Sequence, residues 1–218
     1  MTELRPCGLV ICGPSGVGKS TLIERLHEVF PEKFGFSVSH TTRKPRPTET
    51  NGIEYHFIGM DCMRADIEAG KFVEHMEVHG NLYGTSLAAV EAVCQRGKVC
   101  LFDVRVESAK TVKESRTFDK DKLRVVFVHP PSLKELERRL RKRNTEKEAE
   151  IKERLAAAPA QIAIAAAESL KPSADSFIDH EFVLDGLTPT ETPAEVRTLC
   201  RLLQDWFPFL GQAASSRL

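Results

Sequence analysis

Eight residues near the amino terminus, Gly13-Pro14-Ser15-Gly16-Val17-Gly18-Lys19-Ser20, fit the pattern G-x-x-x-x-G-K-[ST]. An apolar run from Cys7 to Cys12 precedes them. A stretch from Ser20 to about Val29 follows, with Leu22, Ile23 and Leu26 on one helical face. Strand, glycine-rich turn and helix in that order constrain the fold more than any other feature of the chain. Glycines let the backbone wrap inward, so that its N–H groups face phosphate oxygens. The helix aims the positive end of its dipole at the same point. Lys19 is placed to reach the β- and γ-oxygens, and the Ser20 hydroxyl to ligate Mg²⁺. Gly13 to Thr21 is therefore the expected ATP site.

The use made of the phosphates is decided elsewhere. A GTPase needs an N-K-x-D segment to read its base, and none occurs. A second site for a small phosphate-bearing acceptor would make a kinase instead. The charge balance, 31 basic against 31 acidic residues, argues against non-specific nucleic-acid binding. The longest weakly polar stretch, 156–167, holds Pro159 and Gln161 and is too short to span a bilayer. The six cysteines form no C-x-x-C pair, and read as small buried hydrophobes in a reducing compartment.

Strands are expected at 34–40, 55–58, 72–78, 99–103, 125–128 and 182–184. Helices are expected from an Asp61 N-cap to Gly70, and from Ser86 with Leu87, Val90 and Val93 inward to a stop before Gly97. Ser132 and Glu135 form a capping box for a helix whose buried stripe is Leu133, Leu136 and Leu140. Thr145 and Glu148 form another before an alanine-rich helix, and Glu195 to Trp206 is the last helix. The alternation predicts an α/β fold: a P-loop NTPase-type parallel sheet with helices on both faces. Residues 37–95, rich in alternating strands and turns, read as an inserted mixed α/β subdomain, and 135–170 as a helical lid. Segments 5–36, 96–134 and 180–210 make the core of this single domain.

The second site is carried by Ser37-Val38-Ser39-His40-Thr41-Thr42-Arg43-Lys44-Pro45-Arg46-Pro47 and Glu49-Thr50-Asn51-Gly52-Ile53-Glu54-Tyr55-His56-Phe57. Arg43 and Arg46, in a proline-stiffened loop, can clamp a dianionic phosphate with two guanidinium forks. Tyr55 and Tyr83, the chain's two tyrosines, can donate to the same phosphate. Glu74, in the alternating run 72–78, reads by itself as an exposed strand residue.

These segments resemble the guanylate kinase family, whose signature S-x-T-T-R-x-P-R-x-x-E-x-x-G-x-x-Y-x-F is met from Ser39 onward. Phe72-Val73-Glu74, Asn81-Leu82-Tyr83-Gly84-Thr85 and the run to Asp103 continue a resemblance covering roughly residues 7 to 205. It implies transfer of the γ-phosphoryl group of ATP to GMP, and to dGMP. It implies a GMP site of Ser39, Arg43, Arg46, Glu49, Tyr55, Glu74, Tyr83, Thr85 and Asp103. It also implies that Lys19, Arg43, Arg139, Arg143, Arg154 and Asp103 act on the migrating group, the lid arginines supplying charge and Asp103 holding a Mg²⁺-bound water or the arginine clamp.

Two departures stand out. The family follows its aspartate with an acidic residue two positions on and then Gln-Gly, where this chain reads Asp103-Val104-Arg105-Val106-Glu107-Ser108. It also tends to an asparagine where Leu184 or Asp185 falls. The alternative is a catalytically inactive guanylate-kinase-like interaction module; such modules typically lose the P-loop lysine, which this chain keeps. A kinase for another nucleoside monophosphate is opposed by Glu74 with Ser39 and Thr85. The early motif leaves no room for a removable signal or transit peptide, and a monomer is expected. The terminal Ser216-Arg217-Leu218 approximates the S-K-L peroxisomal address, so an import receptor is a candidate partner and the compartment is the cytosol or a microbody.

Overall fold

The computed structural model describes residues 7–46, 49–78, 80–115, 117–143, 148–186 and 193–211. In chain order the elements are β1 (Gly8–Cys12), α1 (Lys19–Val29), β2 (Phe34–Phe36), β3 (His40–Thr41), β4 (His56–Phe57), α2 (Met60–Glu68), β5 (Phe72–Val78) and β6 (Asn81–Ser86). They continue as α3 (Leu87–Cys94), β7 (Val99–Val104), α4 (Val106–Glu114), β8 (Leu123–His129), α5 (Leu133–Arg143), α6 (Glu148–Ser169), β9 (His180–Val183) and α7 (Ala194–Trp206).

The core sheet has the order β2-β7-β1-β8-β9, with every pair parallel. Its central strands are buried on both faces, which is why they read as unbroken apolar runs. Alternate residues of β1 serve opposite layers. Leu9 and Ile11 join a cluster with Leu22 and Leu26 of α1, Leu136 of α5, Ile151 of α6 and Leu199 of α7. Val10 and Cys12 join Val90 of α3 and Val112 of α4 beyond the other face. Helices therefore cover both faces, as the alternation predicts.

A second sheet, β4-β3-β6-β5, is mixed: β3 and β4 run parallel, and the remaining pairs antiparallel. The expected single strand over 34–40 is divided between the two sheets. Phe34–Phe36 pairs with β7 in the core, and His40–Thr41 pairs with β6 in the second sheet. Ser37 holds the joint: its backbone N–H and its hydroxyl both donate to the Leu101 carbonyl, at 3.2 and 2.9 Å. α3, which leads out of the second sheet, packs back onto β2, where a Cβ on Gly35 would lie 2.6 Å from Val93.

Several local expectations need correction. Helix α4 lies where none was expected, its Val106, Ala109 and Val112 stripe being short and broken by lysines. Gly59, not Asp61, caps α2, and Asp61 sits in the first turn, where its charge still suits the helix dipole. Leu133 is 45% exposed, because the buried stripe of α5 begins one turn later at Leu136. Cys62 is exposed on α2 and Cys7 is half-buried, whereas the other four cysteines are buried. Burial pushes the Cys12 thiol up to about 12 and those of Cys94 and Cys200 up to about 11, which leaves them inert fillers. Thr145 of the second capping box and Ser216-Arg217-Leu218 lie outside the described residues. No helix among the described residues is long and apolar enough to cross a membrane.

Candidate active site

The phosphate loop leaves β1 at the carboxyl edge of the core sheet, where parallel α/β sheets place their ligands. Gly13 has φ 142°, and a Cβ there would lie 2.4 Å from the Val128 carbonyl oxygen. Gly18, the N-cap of α1, has φ 115°. The first turn of α1 carries no acidic residue, so nothing competes with an anion for its free N–H groups. Gly13→Ala is expected to cost about 3 kcal/mol through strain and collision, lowering Tm by roughly 10 °C in thermal unfolding.

Lys19 folds back within this loop. Its ammonium donates to the Gly13 carbonyl at 3.0 Å and lies 3.5 Å from Oδ1 of Asp103, at the end of β7. Ser20 and Thr21 are exposed at the mouth of the loop. Arg154 of α6 donates to the Ser15 hydroxyl, so a lid helix already touches the loop.

Arg139 of α5 is anchored beside it. Its guanidinium donates to the Val17 carbonyl at 2.8 Å and to the Leu184 carbonyl at 3.1 Å, while its Nε meets Glu135 at 2.8 Å. Glu135 also receives a bidentate pair from Arg138, and the two guanidiniums pull its carboxyl down to about 2. The Ser132 hydroxyl accepts from the Glu135 N–H as a cap should, but the Glu135 side chain serves the arginines rather than closing the capping box. Arg139, Glu135, Arg138, Lys142, Leu184 and Asp185 wall an approximately 550 Å³ cavity that opens from Gly16, Val17 and Gly18. Arg141 is occupied at the surface by Glu137 and Glu148. The side chain of Arg143 lies outside the described residues.

The second sheet assembles the other candidates. Arg43 forms a two-pronged pair with Glu49, each prong at 2.9 Å, and lies over the Tyr55 ring at 5.5 Å. Glu49 also accepts from the Arg46 N–H at 2.7 Å, while the Arg46 side chain is exposed. The Arg43 guanidinium holds the Glu49 carboxyl below its usual range. The two tyrosine rings meet edge to face at 6.0 Å, and burial raises the Tyr55 phenol, which remains a donor.

Glu74 is 4% exposed, unlike the surface strand residue that its place in an alternating run implies. The cause is a register shift between Phe72 and Glu74, which brings Glu74 opposite Thr85 and buries both Val73 and Glu74. The Thr85 hydroxyl donates to Oε1 of Glu74 at 2.8 Å, and Ser39 lies 3.3 Å from Thr85. Burial drives the Glu74 pKa up, opposed by the hydrogen bond from Thr85. Ser108, from the unexpected helix α4, packs against the same strand, its hydroxyl donating to the Met76 sulfur at 3.5 Å. Arg105 turns to Glu107, 3.7 Å away.

A phosphate loop at the end of the first strand of a parallel sheet, with a lysine, a carboxylate and a helical arginine converging on it, defines the class of P-loop nucleotide-binding proteins. The family model described as guanylate kinase matches residues 5–170. Guanylate kinase 1 of Arabidopsis thaliana is 53% identical over 71% of this chain and 39% of its own length. The guanylate kinase of Sus scrofa is 50% identical over 72% of this chain and 77% of its own. The human guanylate kinase is 49% identical, with 72% and 78% covered. A solved guanylate kinase from Anaplasma phagocytophilum shares the fold, with a TM-score of 0.62 at 23% identity over 98% of this chain and 89% of its own. The chain belongs to the guanylate kinase family. It spans about two fifths of the length of the plant relatives from Arabidopsis thaliana and Oryza sativa, at 39% and 44%.

Proposed function

We propose that the protein is an ATP:GMP phosphotransferase, acting on GMP and dGMP. The observation that carries this reading is the buried Glu74 carboxylate, held by Thr85 in a chain whose Lys19 and Asp103 meet at a phosphate loop. A phosphate oxygen of GMP attacks the γ-phosphorus, the bond from γ-phosphorus to the β,γ-bridging oxygen breaks, and ADP leaves. Charge neutralisation and alignment do the work, without a covalent enzyme intermediate.

Lys19 neutralises the β- and γ-oxygens, Arg139 and Arg154 bring lid charge to the same end of the sheet, and Arg143 is the third lid arginine that the family resemblance implies. The cavity beside Arg139 receives the nucleoside of ATP. Arg43, Arg46, Tyr55 and Tyr83 hold the GMP phosphate, with Glu49 fixing Arg43. Glu74, Thr85 and Ser39 read the base. The exposed Ser20 hydroxyl and the Asp103 carboxylate are hard oxygen donors of the kind Mg²⁺ takes, Asp103 through a water. Bound with ATP, Mg²⁺ would supply neutralising charge across the β- and γ-phosphates. The inactive-module alternative is opposed by Lys19 and by Arg154 on Ser15, since a peptide-binding module needs neither.

The deciding experiment is a coupled assay of ADP release with ATP·Mg²⁺ and each of GMP, dGMP, AMP, CMP and UMP. Turnover confined to GMP and its deoxy form is expected; saturable GMP binding without turnover would overturn the reading in favour of the module. Arg43→Lys gives up the two-pronged grip and its fixed plane, so the KM for GMP is expected to rise about tenfold in steady-state kinetics.

A further inference from the structure

Strand β3 stops after two residues, and two threonine hydroxyls take over where its ladder with β6 ends. The Thr42 N–H still donates to the Leu82 carbonyl, at 3.0 Å. The Leu82 N–H donates at 2.9 Å to the Thr42 hydroxyl, in place of the Thr42 carbonyl that an antiparallel ladder would offer. A hydroxyl thus stands in for a carbonyl, and the backbone is free to turn out of the sheet. The Thr41 hydroxyl, fully buried, donates to the same Leu82 carbonyl at 3.1 Å and accepts from the Arg43 N–H at 3.2 Å. The second of these bonds is a local turn device, a short hydroxyl reaching the backbone two residues on. The first ties that turn to another strand. Thr41 also stands opposite Tyr83 in the register of β3 and β6. Arg43 is therefore held at both ends, its guanidinium by Glu49 and its N–H by Thr41.

We propose that Thr41 is a positioning residue for the acceptor phosphate: its hydroxyl fixes the Arg43 backbone to β6 at Leu82, so that the guanidinium and the Tyr83 phenol meet one phosphate group, and the Thr42 hydroxyl completes the joint. This rests on the reading of Arg43 and Tyr83 as acceptor-phosphate ligands. A two-pronged guanidinium grip is directional, so its strength depends on where its backbone sits. Without the Thr41 hydroxyl the Arg43 N–H loses its acceptor, whereas the Leu82 carbonyl keeps the Thr42 N–H. The sheet retains a rung at this place, and the loss falls on Arg43.

The test compares steady-state kinetics and thermal unfolding of the parent, Thr41→Val, Thr41→Ser, Thr42→Val, Arg43→Lys and the Thr41→Val/Arg43→Lys double variant. Valine keeps the shape of threonine and removes the hydroxyl. In Thr41→Val the KM for GMP is expected to rise about tenfold, with the KM for ATP within about twofold of the parent's. Thr41→Ser, which keeps the hydroxyl, stays within about threefold of the parent on the same scale. In the Arg43→Lys background the two-pronged grip is already gone, so Thr41→Val adds no more than about twofold. A KM for GMP in Thr41→Val equal to the parent's overturns the inference, as does an equal loss in Thr41→Ser. A loss that multiplies in full with that of Arg43→Lys also overturns it, because Thr41 would then support the fold without acting through Arg43. If Thr41→Val does not fold, Thr42→Val takes its place: a KM for GMP raised about threefold with ATP unaffected supports the inference, and one equal to the parent's overturns it. An unchanged KM for GMP in Arg43→Lys removes Arg43 from the phosphate site, and that outcome is separate.

Discussion

Lys19→Ala is expected to lower kcat about a thousandfold, while GMP binding stays within about threefold of the parent. The ammonium bridges the Gly13 carbonyl and Asp103, and in the proposed function it exchanges these for phosphate oxygens of the triphosphate. No other lysine or arginine described at the loop carries a charge from inside its curve. Arg154 approaches through the Ser15 hydroxyl, and Arg139 is bound to two carbonyls at the outer wall. In the proposed function Arg43 and the tyrosines of the second sheet hold the acceptor phosphate, so GMP affinity is expected to be independent of the loop. Steady-state turnover, equilibrium dialysis with GMP and a melting curve together test the assignment. Turnover equal to the parent's would remove Lys19 from the mechanism.

Glu74→Gln is the second large effect. The carboxylate accepts at both oxygens, whereas the amide that replaces it accepts at one end and donates at the other. Guanine then meets a donor facing a donor, and kcat/KM for GMP falls about a hundredfold. Adenine, which offers an amino group beside a ring nitrogen acceptor, fits the amide better than the acid, so the GMP/AMP ratio narrows further. The pH profile changes too. Burial raises the Glu74 pKa, so in the parent guanine reading fades as pH falls through that raised value, above the ordinary carboxylate range of about 4. In Glu74→Gln that acid limb is lost. A GMP/AMP ratio equal to the parent's would assign the base to another group.

The fold was legible because its strongest signals are local. The strand, glycine turn and helix of the phosphate loop occupy neighbouring residues, and the doubly buried strands β1, β7 and β8 announce themselves as apolar runs. What escaped depends on contacts distant in sequence. The burial of Glu74 follows from a bulge set by its pairing with β6, so an alternating pattern misjudges it. Helix α4 is short, and its stripe of Val106, Ala109 and Val112 gains weight once β7 and β8 must be joined by a crossover. The three-residue spacing of Val106, Ala109 and Val112 was the available signal. Arg139 is held beside the loop by carbonyls at Val17 and Leu184, contacts that no sequence pattern encodes.

The division of residues 34–41 between two sheets has a consequence for descent as well as for catalysis. The chain leaves the core sheet after Phe36 and returns through α3, and these two joints touch where Val93 meets Gly35. An insert whose ends already lie together adds little closure entropy, whatever its length. The segment between Ser37 and Ser86 is thus a cassette: it can be lengthened, shortened or recoded for another acceptor while β1, the phosphate loop and β8 keep their packing. A lineage could change what receives the phosphoryl group without relearning how to hold the donor.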